Sequence, residues 1–159
     1  MTSALILLLS ACKNQKEDNP LLSEFHTPYQ TPPFDRIQIA HYEPAFDKAI
    51  AEAQKEITDI AASTQEPEFE NTIAALDQAG EQLNTISSVF FNLNSACTNE
   101  EMQQIAQRIS PKLTEYSNNI YMNPGLFQRV KQVYDHKNNL RLTPEQTTLL
   151  QDTWKAFVK

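Results

Sequence analysis

The sequence predicts an all-α fold, and three observations lead to that prediction. Only two glycines occur among the 159 residues, which leaves little material for the tight turns of β-hairpins. Alanine, leucine, glutamine and glutamate, all good helix formers, recur through the chain. Apolar residues return every three or four positions from Pro44 onward, the spacing of a buried helix face. A chain of this length suffices for about one domain with a modest core.

The first eleven residues are predicted to be a signal peptide. An apolar run from Ala4 to Leu9 leads into small residues, and it is too short for a transmembrane helix, which takes about 20 apolar residues. The sequence Leu9-Ser10-Ala11-Cys12 resembles the bacterial lipobox, in which the cysteine is acylated. Cys12 is therefore the predicted lipidation site. The competing interpretation is an apolar N-terminus that ends in a cysteine by coincidence.

Lipidation would place the chain in the bacterial cell envelope, anchored to a membrane on its periplasmic or surface side. Residues 12–19 are predicted to form a polar tether. Because Cys12 would be acylated, Cys97 would be left without a partner for an intramolecular disulfide. Cys97 is interpreted as a small buried side chain near the end of an apolar helical pattern, and a reactive thiol is the alternative.

The helical domain is predicted to span residues 20–159 and to begin with an irregular strip that extends to about Tyr42. Four prolines in this strip oppose helix, because proline lacks the amide donor and restrains the preceding residue. His26 and His41 are each interpreted as partly buried rings that are hydrogen-bonded to backbone. The apolar residues of the strip predict that it packs over a helical surface: Leu21, Leu22, Phe25, Tyr29, Phe34, Ile37 and Ile39.

Two long apolar stripes predict the next helices. The first runs from about Pro44 to Ser63, with Pro44 in the first turn. The second begins near Phe69 and continues to Leu93. Only Gly80 interrupts the second stripe, and a glycine costs about 1 kcal/mol in a helix interior. We expect Gly80 to mark a close helix crossing or a slight break.

A third helix is predicted from a capping box that starts at Thr98 and includes Glu101. In that motif the threonine hydroxyl and the glutamate each satisfy a free backbone donor. Pro111 lies inside the apolar stripe of this helix, where the lost hydrogen bond and the ring clash cost about 3 kcal/mol. A kink is expected at Ser110 or just before it.

Two further helices are predicted to begin with a capping residue followed by proline, at Asn123-Pro124 and at Thr143-Pro144. The last helix keeps its apolar face to Lys159 and shows no glycine, asparagine or proline stop signal. We therefore expect the domain to be truncated at its C-terminal end.

No catalytic, cofactor-binding or metal-binding residue is predicted. The zinc motif H-E-x-x-H is absent, and His26, His41 and His136 lack a partner at i+4 spacing. His136 is expected to be exposed. A formal net charge of −7 without a basic cluster excludes a nucleic-acid-binding surface. Solvation or helix capping is assigned to the acidic clusters: Glu66, Glu68, Glu70, Glu100 and Glu101.

Several short sequence words occur in a characteristic order: NPLL at 19–22, PFDRI at 33–37, HYEPAF at 41–46, PEFENTI at 67–73, VFFNL at 89–93, ISPKL at 109–113 and LFQRV at 126–130. Together they resemble the N-terminal region of the thimet oligopeptidase and dipeptidyl carboxypeptidase family of zinc metallopeptidases. The words around Phe69 and Phe90 resemble the dipeptidyl carboxypeptidase branch most. Asn71, Asn92 and Arg129 lie in these words, and we interpret them as structural hydrogen-bonding residues without assigning them to substrate.

The resemblance implies a helical part of a larger clamshell-shaped enzyme, in which a long channel between two halves admits short peptides. In the family, an H-E-x-x-H helix and a further glutamate hold the zinc ion, and these residues would lie beyond Lys159. The segment here would form part of the channel wall, and its partner would be the missing catalytic half. The whole enzyme would remove C-terminal dipeptides, whereas this chain alone is predicted to be inactive.

A second hypothesis comes from a different class of protein. The chain would be a self-sufficient helical lipoprotein of the envelope that binds peptides or a partner protein. An open reading frame that reaches H-E-x-x-H after the Lys159 codon would favour the enzyme over this binding module.

Replacement of Cys12 by serine is expected to abolish metabolic labelling with palmitate, because the acylated thiol would be gone. Labelling is measured on the immunoprecipitated chain, with Cys97→Ser as the matched control that keeps full labelling. Persistent labelling of the Cys12→Ser variant would refute the lipobox interpretation.

Overall fold

The computed structural model describes residues 19–159. The predicted signal peptide, Cys12 and the tether up to residue 18 lie outside the described residues. Within the described part there is no strand, so the all-α prediction is confirmed. No helix in this part is both long and apolar enough to cross a bilayer. The main helices are α1 (Ile39–Ala62), α2 (Ala75–Gln78), α3 (Glu81–Ala96), α4 (Glu100–Tyr121), α5 (Pro124–Asp135) and α6 (Pro144–Phe157).

Shorter helical turns connect these helices. Two 3-10 turns, Pro20–Leu22 and Pro28–Gln30, lie in the N-terminal strip, and a third, Lys137–Asn139, follows α5. A π-helix, Phe69–Ala74, leads directly into α2. The π-helix was not predicted, because its apolar spacing is the same as that of an α-helix over so few residues.

The N-terminal strip packs over helical surface, as predicted, but not with all its apolar residues. Leu21 is buried in the core, and the Asn19 amide donates to the His41 carbonyl at 2.7 Å, which ties the strip to α1. Tyr29 and Phe34 were expected to pack and do not, since Tyr29 is 99% exposed and Phe34 is also exposed.

Helix α1 begins at Ile39, earlier than the predicted start at Pro44. The reason is local, because His41 accepts a hydrogen bond at Nδ1 from the backbone N–H of Gln38 at 3.0 Å and so caps the helix end. Pro44 then lies inside the helix rather than in its first turn. The partly buried, backbone-bonded ring expected for His41 is confirmed, whereas the same expectation for His26 is wrong, because His26 is exposed.

Helix α1 is the centre of the larger core. Its Phe46 ring meets Phe90 of α3 edge to face with centroids 5.5 Å apart, and Tyr42 meets the same ring at 5.0 Å. These rings pack with buried residues of α4, among them Ile105 and Ile109. The apolar face of α1 therefore packs against both α3 and α4 and positions them.

Helix α4 runs parallel to α1 at a constant sequence offset. In three polar pairs between these helices, a residue of α1 meets the residue 65 positions later. Equal offsets along two helices require the same direction and the same rise. The three pairs are Glu43 with Arg108, Asp47 with Lys112, and Gln54 with Asn119. The Glu43 pair is bidentate, with both hydrogen bonds 3.0 Å long.

Gly80 both breaks the second predicted helix and permits a close crossing, so both expectations for it are confirmed. Its φ of +76° lies in the left-handed region that glycine adopts without strain. Its N–H donates to the Glu56 carboxylate at 2.8 Å. A Cβ at this position would lie 3.0 Å from the Tyr116 hydroxyl and 3.4 Å from Cβ of Ala53.

The start of α4 differs from the prediction by one residue. Asn99, not Thr98, is the capping residue, and its side-chain oxygen accepts from the N–H of Met102 at 2.9 Å. Thr98 instead donates to the side-chain oxygen of Asn94. Both residue types cap helices, so the sequence does not distinguish two adjacent candidates. The helix continues through Pro111 without ending.

The caps predicted for the last two helices are confirmed. The Asn123 side-chain oxygen accepts from the N–H groups of Gly125 and Leu126, and Thr143 forms a capping box with Gln146. Helix α6 ends at Phe157, two residues before the predicted course through Lys159.

A second hydrophobic cluster joins the π-helix to α5 and α6. The indole of Trp154 stacks on Tyr134 with centroids 4.8 Å apart and on Phe127 at 5.9 Å. The buried members are Phe69, Ile73, Val130, Val133 and Leu150. The described chain thus has one cluster around α1, α3 and α4, and another around the π-helix, α5 and α6.

Replacement of Gly80 by alanine is expected to lower the free energy of unfolding by about 2 kcal/mol, from the left-handed backbone and the contact with Tyr116. Urea denaturation measures the change. In a Tyr116→Phe background, which lacks the hydroxyl, Gly80→Ala is expected to lower the free energy of unfolding by about 1 kcal/mol, from the backbone alone. Equal stability of Gly80→Ala and the unaltered chain would contradict the assigned constraint.

The Glu43 and Arg108 pair predicts a pH-dependent contribution to stability. The hydrogen bonds from Arg108 lower the pKa of Glu43 below its ordinary value of 4.5. A carboxyl with a lowered folded-state pKa stabilises the fold above its unfolded pKa, and this contribution disappears as the pH falls through the folded-state pKa.

Arg108→Gln is therefore expected to destabilise the chain more at pH 7 than at pH 3. Urea titrations at both values measure the difference, with the exposed Arg141→Gln as the control for loss of one positive charge. A destabilisation by Arg108→Gln that is the same at both pH values would contradict this linkage.

Candidate functional site

The histidines do not form a metal site with one another. His26 lies on the N-terminal strip, His41 in the first turn of α1, and His136 directly after α5. His41 already uses Nδ1 to cap α1, and His136 is exposed as predicted, with Nδ1 2.8 Å from the Gln132 carbonyl. Over residues 19–159, no three His, Cys, Asp or Glu side chains are placed to hold a metal ion together. The donor set of this part of the chain does not fit zinc.

The acidic clusters have the solvated and capping roles predicted for them. Glu66, Glu68 and Glu70 are all exposed. The Glu66 carboxylate accepts from the Gln132 amide, and Glu68 is the capping residue of the π-helix. Exposed Glu100 and Glu101 occupy the first turn of α4, where negative charge is favourable.

Cys97 is exposed, so the prediction that it is a small buried side chain is wrong. Helix α3 ends at Ala96, and Cys97 has φ −140° and ψ 47°. This residue has left the helical path, so the apolar periodicity no longer determines its burial. Asn92 makes only a local bond in the described structure, from its side chain to the Ser88 carbonyl at 2.8 Å.

Arg129 is the centre of the most elaborate polar cluster in the described chain. Its side chain projects from α5 and is only 6% exposed. It joins two segments that follow α1, the loop at residues 63–68 and the start of the π-helix. Four hydrogen bonds hold the guanidinium: to the carbonyls of Ser63 at 2.9 Å and Gln65 at 3.0 Å, to the Asn71 side-chain oxygen at 3.0 Å, and to the Thr72 hydroxyl at 3.1 Å.

Asn71 organises the acceptor side of this cluster. Its side-chain oxygen also accepts from the Glu68 N–H and from the Thr72 hydroxyl, both at 2.9 Å, while its amide donates to the Glu66 carbonyl. The structural roles predicted for Asn71 and Arg129 are confirmed. Thr72, which is fully buried, was not predicted, although its place directly after Asn71 in the FENT sequence was the available signal.

The acceptors around Arg129 are neutral, and its Nε has no hydrogen-bond partner among the described residues. Carbonyl and hydroxyl dipoles therefore stabilise the buried positive charge. Moving any of these acceptors away would lower the stability of the fold. We call this cluster the Arg129 clasp, because it links α5 to the loop at residues 63–68 and to the start of the π-helix.

A cleft opens where the two hydrophobic clusters diverge. It has a volume of about 360 Å³ and is lined by residues of α1, α2, α3, α4 and α6. We call it the corner cleft. Its lining is mixed: the apolar residues are Ile57, Leu76, Ala79, Tyr116, Ile120, Tyr121, Ala156 and Phe157, and the polar residues are Asp77, Asn84, Ser117 and Thr153. The sequence predicted Ile57, Leu76, Tyr116, Ile120 and Phe157 on apolar helix faces but gave no sign of a space between them.

Comparison with known proteins defines the class. Dipeptidyl carboxypeptidase of Escherichia coli (strain K12) is 41% identical over 140 residues, which are 88% of this chain and 21% of that protein. Dipeptidyl carboxypeptidase of Salmonella typhimurium matches to the same extent. Oligopeptidase A of Escherichia coli (strain K12) is 27% identical over 139 residues, 87% of this chain and 20% of that protein. No protein-family model matches the chain.

The proteins that this chain resembles are thus peptidases. More narrowly, the chain is similar to the N-terminal region of the thimet oligopeptidase and dipeptidyl carboxypeptidase family, which confirms the resemblance carried by the sequence words. The identity is higher to the dipeptidyl carboxypeptidases than to oligopeptidase A. The chain spans about a fifth of the length of these curated relatives.

Replacement of Arg129 by methionine is expected to lower the free energy of unfolding by about 3 kcal/mol, because buried acceptors lose their donors. Lys131→Met is the matched control on the same helix; it removes an i,i+4 pair with Asp135 and should cost about 0.5 kcal/mol or less. Denaturant unfolding measures both. Arg129→Lys should restore only part of the loss, since an ammonium lacks the planar fork. Equal effects of the two methionine variants would contradict the clasp.

Proposed function

We propose that this chain is the N-terminal, non-catalytic part of a zinc-dependent peptidyl-dipeptidase, an enzyme that releases C-terminal dipeptides from oligopeptides. The observation that carries the proposal is the 41% identity to dipeptidyl carboxypeptidases over 88% of the chain. Those proteins are about five times longer than the matched region, which covers 21% of them. In this proposal the zinc ion and the catalytic residues belong to the part of the enzyme beyond the match.

The role proposed for this part is to build a wall of the substrate channel and to support the catalytic half. Contacts between the helices support this role. The polar pairs fix α4 beside α1, and the Arg129 clasp fixes α5 against the π-helix. A rigid wall would exclude folded proteins by size and admit short, extended peptides.

The proposal includes an envelope location. A lipid on Cys12 would anchor the enzyme to a membrane, with the helical domain held away from it by residues 12–19. Support for this part of the proposal comes from the sequence alone, because an apolar run, small residues and a cysteine occur in lipoprotein order. A single acyl chain binds a membrane only weakly, so stable anchoring would require more than one chain on Cys12.

A domain exchange tests the function. Residues 19–159 replace the matched region of Escherichia coli dipeptidyl carboxypeptidase, and dipeptide release from an N-terminally blocked oligopeptide is measured. The chimera is expected to be active and sensitive to a chelator, because the wall would be restored. The relative without its matched region serves as the control and should be inactive. A folded chimera without activity would count against the proposal.

The isolated 159-residue chain supplies the complementary measurement. It is expected to bind no stoichiometric zinc and to cleave no blocked oligopeptide, since its described donor groups are scattered. Chelator-sensitive cleavage by the isolated chain would refute the assignment of catalysis to the remaining part of the enzyme.

A further inference from the structure

We propose that His41 is an acid-sensitive switch for the start of α1. The neutral ring holds the first turn of the helix, and protonation of the ring releases that turn together with the end of the N-terminal strip. This switch is a property of the fold and does not depend on the proposed function.

The switch is one hydrogen bond that only neutral histidine can make. Nδ1 of His41 accepts from the backbone N–H of Gln38 at 3.0 Å. A neutral imidazole has one N–H group and one acceptor nitrogen, so Nδ1 accepts only when the proton is on Nε2. In the protonated ring both nitrogens carry hydrogen. Two donors would then face each other across this contact, and the Gln38 N–H would lose its acceptor.

Pro44 makes the first turn of α1 dependent on this cap. It lies inside the helix and has no N–H to donate to the carbonyl of Ala40, four residues earlier. The turn that begins at Ile39 therefore lacks one of the hydrogen bonds of a regular helix. Proline is also well suited to the first turn, so a helix that starts close to Pro44 remains available when the cap is lost.

Two contacts confine the change to residues 38–41. The buried Tyr42 ring meets Phe90 with centroids 5.0 Å apart, and Glu43 accepts both hydrogen bonds from Arg108. Neither contact involves the His41 ring. The carbonyl of His41, by contrast, accepts from the Asn19 amide at 2.7 Å, so release of the turn also loosens the strip where it is attached to α1.

The surroundings of the ring oppose an added positive charge. His41 is partly buried and lines a cavity of about 1050 Å³, whose described wall comes from the strip and α1. The ionisable groups that line it with His41 are Glu24, His26, Arg36 and Lys48. Lys48 also pairs with Glu52 at 3.6 Å, whereas Arg36 has no ion-pair partner among the described residues. The N-terminal end of a helix dipole likewise disfavours a cation.

Amide hydrogen exchange of Gln38 measures the state of the switch. Protection factors, corrected for the intrinsic exchange rate, are obtained by NMR on the 159-residue chain at about pH 8 and about pH 5, the range in which histidine titrates. We expect the protection of Gln38 to fall at least about tenfold towards pH 5, because opening that takes up one proton changes by up to about tenfold for each pH unit. The buried Ile57 of the same helix is the internal reference and should stay protected.

Two matched variants assign the effect to one ring. Glutamine at the third position of a helix accepts from the same backbone N–H but does not titrate, so His41→Gln should reduce the change in Gln38 protection to about twofold or less. His26→Gln alters the other histidine of the cavity wall and should keep the full change. Equal changes in His41→Gln and the unaltered chain would overturn the proposal, as would loss of the change in His26→Gln.

The ring itself supplies a measurement that needs no variant. The ¹⁵N chemical shifts of the His41 imidazole at about pH 8 identify the nitrogen that carries the proton, and the switch requires Nε2. A proton on Nδ1 would overturn the proposal. Parallel loss of protection at Gln38 and Ile57 would also overturn it, because the chain would then unfold as a whole rather than open at the start of α1.

Discussion

The four hydrogen bonds of the buried Arg129 guanidinium hold α5 to the segments that follow α1. The side chain projects from α5, and its acceptors include the carbonyl of Ser63 just after α1. A buried cation without a carboxylate partner is stable only where oriented dipoles replace its water. The acceptors on the loop at residues 63–68 and on the π-helix are therefore held in place by one side chain.

Much of the fold follows from the sequence because amphipathic spacing and helix caps are local signals. The stripe starting at Pro44 located α1, and the stripe starting at Phe69 covers the π-helix, α2 and α3. The Asn123 and Thr143 caps located two helix starts. Arg129 and Asn71 were recognised as structural residues. Their partners could not be predicted, since Ser63, Gln65 and Thr72 meet the guanidinium only after α5 folds back on the π-helix.

The differences from the predicted helix ends have local causes, whereas the expected break at Gly80 also depends on a contact distant in sequence. A bond from the Gln38 backbone to His41 extended α1 towards its N-terminus, although Pro44 marked a later start. The carboxylate of Glu56 holds the N–H of Gly80 and stabilises the break there. Cys97 was assigned to a buried face that had already ended. The corner cleft could not be predicted, because its lining comes from five separate helices.

The constant offset of 65 residues between α1 and α4 constrains how the length of this region changes in evolution. One residue inserted within either helix rotates all following side chains by about 100°, which would separate every later pair at once. An insertion in the connection between α3 and α4 would leave the phase of both helices intact. Variation in chain length among related proteins is therefore expected to collect in the loops, while α1 and α4 keep their lengths as a matched pair.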